Sequence, residues 1–231
     1  MERKNNSKEL LICKNLVKEY LNGDRHSQVI KPTNIIIQKG TRNLIRGKSG
    51  SGKTTLLSML AGIEPPTSGK VYFKGVDYFS LSEKRQARIR GKNYGFVFQS
   101  FHLLHELTVQ DNIKVPSIIN GGTIDAGFYE KIIHMLGLVN KLKSYPSELS
   151  GGEQQRTAIA RAMIMKPAIL FADEPTGNLD RGNSLRIMDM LDEINHMFGV
   201  TIIMVTHDHQ LMKEPDSEFH ICDGIVTRME G

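Results

Sequence analysis

The chain has 231 residues, 39% hydrophobic and 24% charged, with a net charge of +5 and a pI near 9.1. It is long enough to bury a full core in one globular unit, and it has no low-complexity block or internal repeat, which argues against fibrous and disordered classes. No stretch approaches the roughly 20 apolar residues that cross a bilayer, and the polar start Met1-Glu2-Arg3-Lys4 precedes no signal-peptide core, so a folded cytosolic protein is expected.

Residues 8–98 read as short strands around one glycine-rich loop, at 10–13, 35–38, 43–46, 70–73 and 94–98. Turns at Asn22-Gly23-Asp24, Lys39-Gly40 and Pro65-Pro66 punctuate them. Residues 56–61 are apolar on nearly all sides, the pattern of a buried helix behind a phosphate loop. Scattered basic residues gather once, at Lys84, Arg85, Arg88, Arg90 and Lys92, a cluster compatible with a solvated face or a binding patch.

Residues 100–165 read as helical. Phe128, Ile132 and Leu136 recur at four-residue spacing before a terminating Gly137, and a further helix starts near Ser150 and stops before Pro167. A strand at 168–172, a helix with Leu185, Met188, Leu191, Ile194 and Phe198 on one face, a Gly199 cap and a strand at 200–205 follow. Apolar, β-branched strands alternating with helices imply a parallel sheet covered by helices. A helical insertion then lies between two sheet-forming segments. Cys13 and Cys222 have no metal-type spacing and read as buried thiols rather than as a disulfide or redox pair. The chain ends soon after Gly224-Ile225-Val226, so no appended regulatory domain is expected.

Gly47-Lys48-Ser49-Gly50-Ser51-Gly52-Lys53-Thr54 follows one strand and opens a helix, which is the phosphate-loop pattern. Its backbone N–H groups can wrap phosphate oxygens, Lys53 can reach the β- and γ-phosphates, and Thr54 can offer an oxygen to Mg²⁺. An apolar strand ending in Asp173-Glu174 places two carboxylates at its C-terminal end, where sheets of this kind bind ligands. Neighbouring strand residues point to opposite sides, so the two acids should have different roles. Ser150, Gly151 and Gly152 open a helix with small residues and free N–H groups, an anion site.

Leu149-Ser150-Gly151-Gly152-Glu153-Gln154, downstream of the phosphate loop, resembles the signature motif of ATP-binding-cassette (ABC) ATPases. The motifs occur in that family's order and the resemblance covers about residues 10–224. It implies an α/β fold, with a P-loop NTPase (RecA-like) core, an antiparallel β subdomain and an inserted α-helical subdomain. One ABC ATPase domain over 8–231 would then divide into 8–98 and 166–231 as core plus β subdomain, and 99–165 as the helical part. Stretches such as Phe96-Val97-Phe98-Gln99-Ser100-Phe101 and Asp173-Glu174-Pro175-Thr176-Gly177-Asn178-Leu179-Asp180 are similar to the MacB, LolD and FtsE group.

What the resemblance implies is specific. Glu174 would be the general base, with His207 and Lys53 completing the catalytic set. Asp173, Gln99 and Thr54 would serve Mg²⁺. Tyr20 would stack on adenine, and residues from Gly47 through Lys53, Thr54 and Thr55 would bind the ATP phosphates. Ser150, Gly151, Gly152, Glu153 and Gln154 would act on the ATP held by a second copy, with Asn178, Leu179 and Asp180 as the D-loop across a homodimer. Arg46 and Lys48, beside Gly47, depart from the family pattern by adding positive charge, which either favours phosphate or is surface variation.

The function so implied is ATP hydrolysis to ADP and phosphate driving a separate integral membrane permease subunit, in export, lipoprotein release or mechanotransmission. The permease would dock between Ser100 and Thr108, where Phe101, Leu103 and Leu104 read equally as contact or core residues. No nucleic-acid partner is expected, and the chain would sit on the inner face of the cell membrane through its partner. The alternative is a non-transport ABC ATPase with a cell-division or other remodelling partner.

Overall fold

The computed structural model describes residues 8–22, 25–207, 212 and 214–229. Gly23 and Asp24 of the first turn, the N-terminal residues 1–7, and Asp208 and His209 next to His207 lie outside the described residues.

Two sheets organise the chain. β1 (Glu9–Asn22), β2 (Arg25–Gln38), β4 (Ser68–Phe73) and β5 (Val76–Asp77) form an antiparallel sheet in the order β2-β1-β4-β5. β3 (Arg42–Arg46), β6 (Tyr94–Phe98), β7 (Ile169–Asp173), β8 (Thr201–Thr206), β9 (Ser217–Cys222) and β10 (Ile225–Met229) form the second sheet, in the order β10-β9-β3-β8-β7-β6. Its strands are parallel except for β10, which returns antiparallel on β9. The helices are α1 (Lys53–Leu60), α2 (Glu83–Asn93), α3 (Val109–Asn120), α4 (Ala126–Met135), α5 (Gly151–Met163) and α6 (Arg181–Phe198).

Residues alternate across the parallel sheet, so each strand feeds two cores. Leu44, Leu170, Ala172, Ile202 and Met204 pack with α5, α6 and the apolar residues Ile113, Ile132 and Leu136 of the helical segment. Ile45, Ile169, Phe171, Ile203 and Val205 face the other way, onto α1 and the antiparallel sheet. Both faces being covered explains the near-continuous apolar runs.

Several elements exceed the sequence expectation. β1 and β2 each span 14 residues. Their pairing shifts register between Cys13 and Leu16, beside Asn15 at φ 47°, and such a bulge breaks the two-residue alternation on which strand reading depends. Pro32 sits within β2, which is an edge strand and so tolerates the missing N–H. The basic cluster lies on α2, which has no buried residue and therefore shows no apolar period. β9 and β10, beyond the last expected strand, complete the sheet. Of the two thiols expected to be buried only Cys13 is; Cys222 is exposed, because it ends β9 where the strand runs into the turn to β10.

Helix ends follow local chemistry. Thr108, Asp125, Ser150 and Asp180 each accept a backbone N–H at the start of α3, α4, α5 and α6. Gly199 closes α6 in the left-handed region, and Gly137 at φ 63° follows α4, as the sequence places them.

Candidate functional site

Strand register assembles the site. Arg46 pairs with Thr206, and Asp173 pairs with both Val205 and Phe98, so the C-terminal ends of β3, β8, β7 and β6 share one edge. The residues leaving that edge are Gly47, His207, Glu174 and Gln99. Four segments separated by up to 160 positions thus meet at the sheet's ligand-binding end.

The loop between β3 and α1 wraps around the Lys53 ammonium. Lys53 is 5% exposed and its Nζ donates to the carbonyls of Gly47 at 2.9 Å and Lys48 at 3.0 Å. Gly52 adopts φ 101°, which an L side chain rarely takes, and a Cβ at Gly47 would collide with Ile221 and Ser51. Ser51 Oγ is buried in this loop without a hydrogen-bond partner among the described residues. Ser49 and Gly50 are exposed at its tip, and Thr54 and Thr55 begin α1 behind it.

The acids separate as their positions imply, but by a sharper device than strand alternation. Asp173 ends β7 and accepts a hydrogen bond from Thr54 Oγ1 at 3.2 Å. Glu174 lies beyond the strand at φ 45°, a left-handed conformation that costs a non-glycine residue about 1–2 kcal/mol. Its N–H donates to the Val205 carbonyl at 3.0 Å, and its own carbonyl accepts from Gly177 N–H at 3.0 Å. The kink directs Oε1 to within 3.7 Å of Lys53 Nζ and Oε2 to 2.7 Å from His207 Nδ1. Burial, with Glu174's negative charge beside it, pushes the Asp173 carboxyl above its ordinary range despite the Thr54 hydrogen bond and the nearby Lys53.

A second group lies alongside. Gln99 Nε2 donates to Asn178 Oδ1 and Asn178 Nδ2 donates to the Gln99 carbonyl, both at 3.0 Å. Leu179 lies against Gly151, Asp180 caps α6, and Asn183 in the first turn of α6 crowds Gly152. The D-loop residues are therefore in contact with both Gln99 and the signature residues. Ser150 caps α5 in a reciprocal box: its Oγ accepts from Glu153 N–H, while Glu153 Oε2 accepts from Ser150 N–H at 2.8 Å and from its hydroxyl at 2.9 Å. The Ser150 backbone bond foremost, then the Ser150 hydroxyl and Lys141 at 3.1 Å, hold the Glu153 carboxyl below its usual range against the effect of burial. Gln154 Nε2 donates to the Leu149 carbonyl.

Tyr20 is 37% exposed on β1, with its hydroxyl donating to Glu64 Oε1 at 2.7 Å and within hydrogen-bonding reach of the Thr55 side chain on α1.

Three polar residues without a role in the sequence reading hold these parts in place. Gln155 is fully buried on α5, and its Nε2 donates to the Pro175 carbonyl, tying the helix to the turn after Glu174. Asn112, also fully buried, donates to the carbonyls of Leu104, Leu107 and Thr108 and accepts from Leu104 N–H. Arg161 donates to the carbonyls of Phe101 and His102, both at positive φ. The signal for all three is a polar side chain on the inward face of a helix. Asn112 and Arg161 together fix the segment between Ser100 and Thr108, in which Leu103 is buried and Leu104 is 46% exposed.

Arg46 does not charge the phosphate loop. Its guanidinium pairs with Glu218 on β9 at 3.1 Å, so of the two flanking cations only the exposed Lys48 lies on the loop itself.

Comparison with known proteins bears on the family and the fold. The family model described as ABC transporter matches residues 30–177. The lipoprotein-releasing system ATP-binding protein LolD of Shewanella frigidimarina is 40% identical over 222 residues, covering 94% of this chain and 92% of that protein. The dimeric structure of MJ0796, a bacterial ABC transporter cassette, superposes with a TM-score of 0.85 at 33% identity, covering 96% of this chain and all of the other. A dimeric post-hydrolysis state of MJ0796 bound to ADP and Pi gives 0.84 at 32% identity, covering 96% of this chain and 100% of that one. Family model, relatives and fold converge: the chain belongs to the ABC transporter family, as one of its ATP-binding cassettes.

Proposed function

We propose that this chain hydrolyses ATP as a head-to-tail homodimer and thereby drives a separate membrane subunit, in the manner of the LolD, MacB and FtsE group. The observation that carries the reading is the run from Lys53 through Glu174 to His207 beside the Thr54–Asp173 pair, at 3.7, 2.7 and 3.2 Å, all on one sheet edge.

The residues fit the groups that the reading requires. A buried hydroxyl without a partner at Ser51, and a loop whose close turns need glycine, suit phosphate oxygens. Thr54 and Asp173 offer hard oxygen donors, and a cation would relieve the crowding of negative charge between Asp173 and Glu174. Thr54, Asp173 and Gln99 would hold Mg²⁺, which when bound neutralises charge on the phosphates. Glu174 takes the proton of the attacking water, with His207 orienting its carboxylate. Lys53 stabilises the phosphate charge. Ser150, Gly151 and Gly152 present the N-terminus of α5 to the ATP of the second copy, and Asn178, Leu179 and Asp180 line the contact between copies.

Among the described residues no helix is long and apolar enough to cross a membrane. We place that permease on the segment between Ser100 and Thr108, which borders a groove of about 440 Å³ lined by Arg90, Phe98, His102, Pro116 and Arg161. The chain would thus work on the inner face of the membrane, with lipoprotein release, the process in the name of the LolD relative, as the cargo process. A cysteine at Leu104 should crosslink to a single co-purified membrane protein. Crosslinking only at positions outside this segment would move the docking site.

A further inference from the structure

Tyr20 is fastened by two residues to which neither family matching nor the sequence motifs give a role. Its hydroxyl donates to Glu64 Oε1 at 2.7 Å, and the same carboxylate oxygen pairs with Lys18 Nζ at 2.8 Å. Lys18 Nζ also donates to the Pro65 carbonyl at 2.9 Å and lies over the Tyr20 ring, 5.0 Å from its centroid. Burial works to raise the Glu64 carboxyl, and the hydrogen bonds from Lys18 and Tyr20 outweigh it, leaving it below its ordinary range. It therefore stays an acceptor at neutral pH.

The place of Glu64 in the chain gives this triad its significance. Glu64 follows α1, and its N–H donates to the Ser58 carbonyl in the last turns of that helix. α1 begins at Lys53, in the phosphate loop. Tyr20 is on β1, in the other sheet. The carboxylate thus ties an exposed aromatic ring to the helix that carries the phosphate-binding residues. Without it, the Thr55 side chain and Lys18 remain as restraints on a ring that stands on an exposed strand, and a base stacking on it would have to order it further at binding. Lys18 covers one face of the ring, leaving the opposite face for a base.

We propose that Glu64, with Lys18, is a positioning element for the nucleotide base: it locks the Tyr20 ring at a fixed place relative to the phosphate loop, so that one ring face is preformed for stacking. This rests on the reading of Tyr20 as the base-stacking residue. Glu64 itself touches neither base nor phosphate.

The test is steady-state ATP hydrolysis by the full chain, with inorganic tripolyphosphate as a competing inhibitor that has no base. Losing one charge-assisted hydrogen bond that orders the ring should raise KM for ATP about three- to tenfold in Glu64→Ala and in Tyr20→Phe, with kcat unchanged. The double variant should fall short of the product of the two single effects, since the Tyr20–Glu64 bond is lost in both. Glu64→Gln, which keeps an acceptor for the phenol, should recover part of the loss. Inhibition by tripolyphosphate should be unchanged in all of them. Weakened tripolyphosphate inhibition in Glu64→Ala would mean a general disturbance of α1 and would overturn the positioning role. A normal KM in Glu64→Ala beside a raised one in Tyr20→Ala would overturn it while leaving base stacking intact. A normal KM in Tyr20→Ala would sink the stacking reading and the proposal with it.

Discussion

Glu174 Oε2 and His207 Nδ1 lie 2.7 Å apart although 33 residues separate them in sequence, because β7 and β8 are adjacent parallel strands ending in register. The contact orients a carboxylate that its own backbone has already turned out of the strand. Glu174→Gln keeps the shape and removes the proton acceptor. Phosphate release should fall about 100- to 10,000-fold while ATP binding persists, the range of general-base catalysis. Filter binding beside a phosphate-release assay checks it, and retained turnover would reject Glu174 as the base.

Asp173 carries a stability cost. Its carboxyl is raised by burial and by Glu174, so the folded state favours the protonated form and the charged form is penalised at neutral pH. That penalty is absent below the unfolded pKa, where both states are protonated, and develops in full as pH rises through the folded one. Asp173→Asn should therefore raise the melting temperature of the nucleotide-free protein at pH 7, and by less at a pH low enough to protonate Asp173. It should also abolish Mg²⁺-dependent hydrolysis. For the unmodified protein, the Mg²⁺ concentration giving half-maximal activity should increase as pH falls toward the Asp173 pKa. A melting temperature lowered by the substitution would contradict this account.

Composite sites can be tested by mixing. Lys53→Ala disables a loop and Ser150→Arg disables a signature. In a mixed dimer both defects fall in one site and the other is intact. Mixing two inactive variants should restore hydrolysis to roughly a quarter of the unmodified rate, half of the dimers being mixed with one working site each. No recovery despite demonstrated mixed dimers would place loop and signature of one chain in the same site.

Arg46 gives the converse prediction. Its pairing with Glu218 across β3 and β9 at 3.1 Å makes it a tie within the sheet. Arg46→Ala should lower the melting temperature by a few degrees, since Glu218 loses its partner at a cost of about 1–3 kcal/mol. KM for ATP should move less than about twofold. A large KM effect with unchanged melting would restore Arg46 to phosphate binding.

Much of the site is legible in the sequence because its chemistry is local. The phosphate loop needs glycines at fixed spacing, Ser150 and Glu153 cap a helix within four residues, and Asp173 ends a run of apolar residues; each is a contiguous segment obeying backbone geometry. The long strands β1 and β2 were only partly visible, since the bulge at Asn15 and the edge proline Pro32 break the alternation that reveals a strand. α2 gave no signal because it buries no side chain.

By itself, then, the sequence determined where the phosphate-loop pattern, the paired acids and the signature-like helix start fall, and the strand or helix beside which each sits. Only the tertiary structure decided what those residues touch. It turned Glu174 toward Lys53 and His207, removed Arg46 from the phosphate loop, and joined Tyr20 to Glu64 over 44 positions. The physical reason is that hydrogen bonds and ion pairs act over about 3–4 Å in space, and neither spacing along the chain nor hydrophobic period encodes which distant side chain will occupy that sphere.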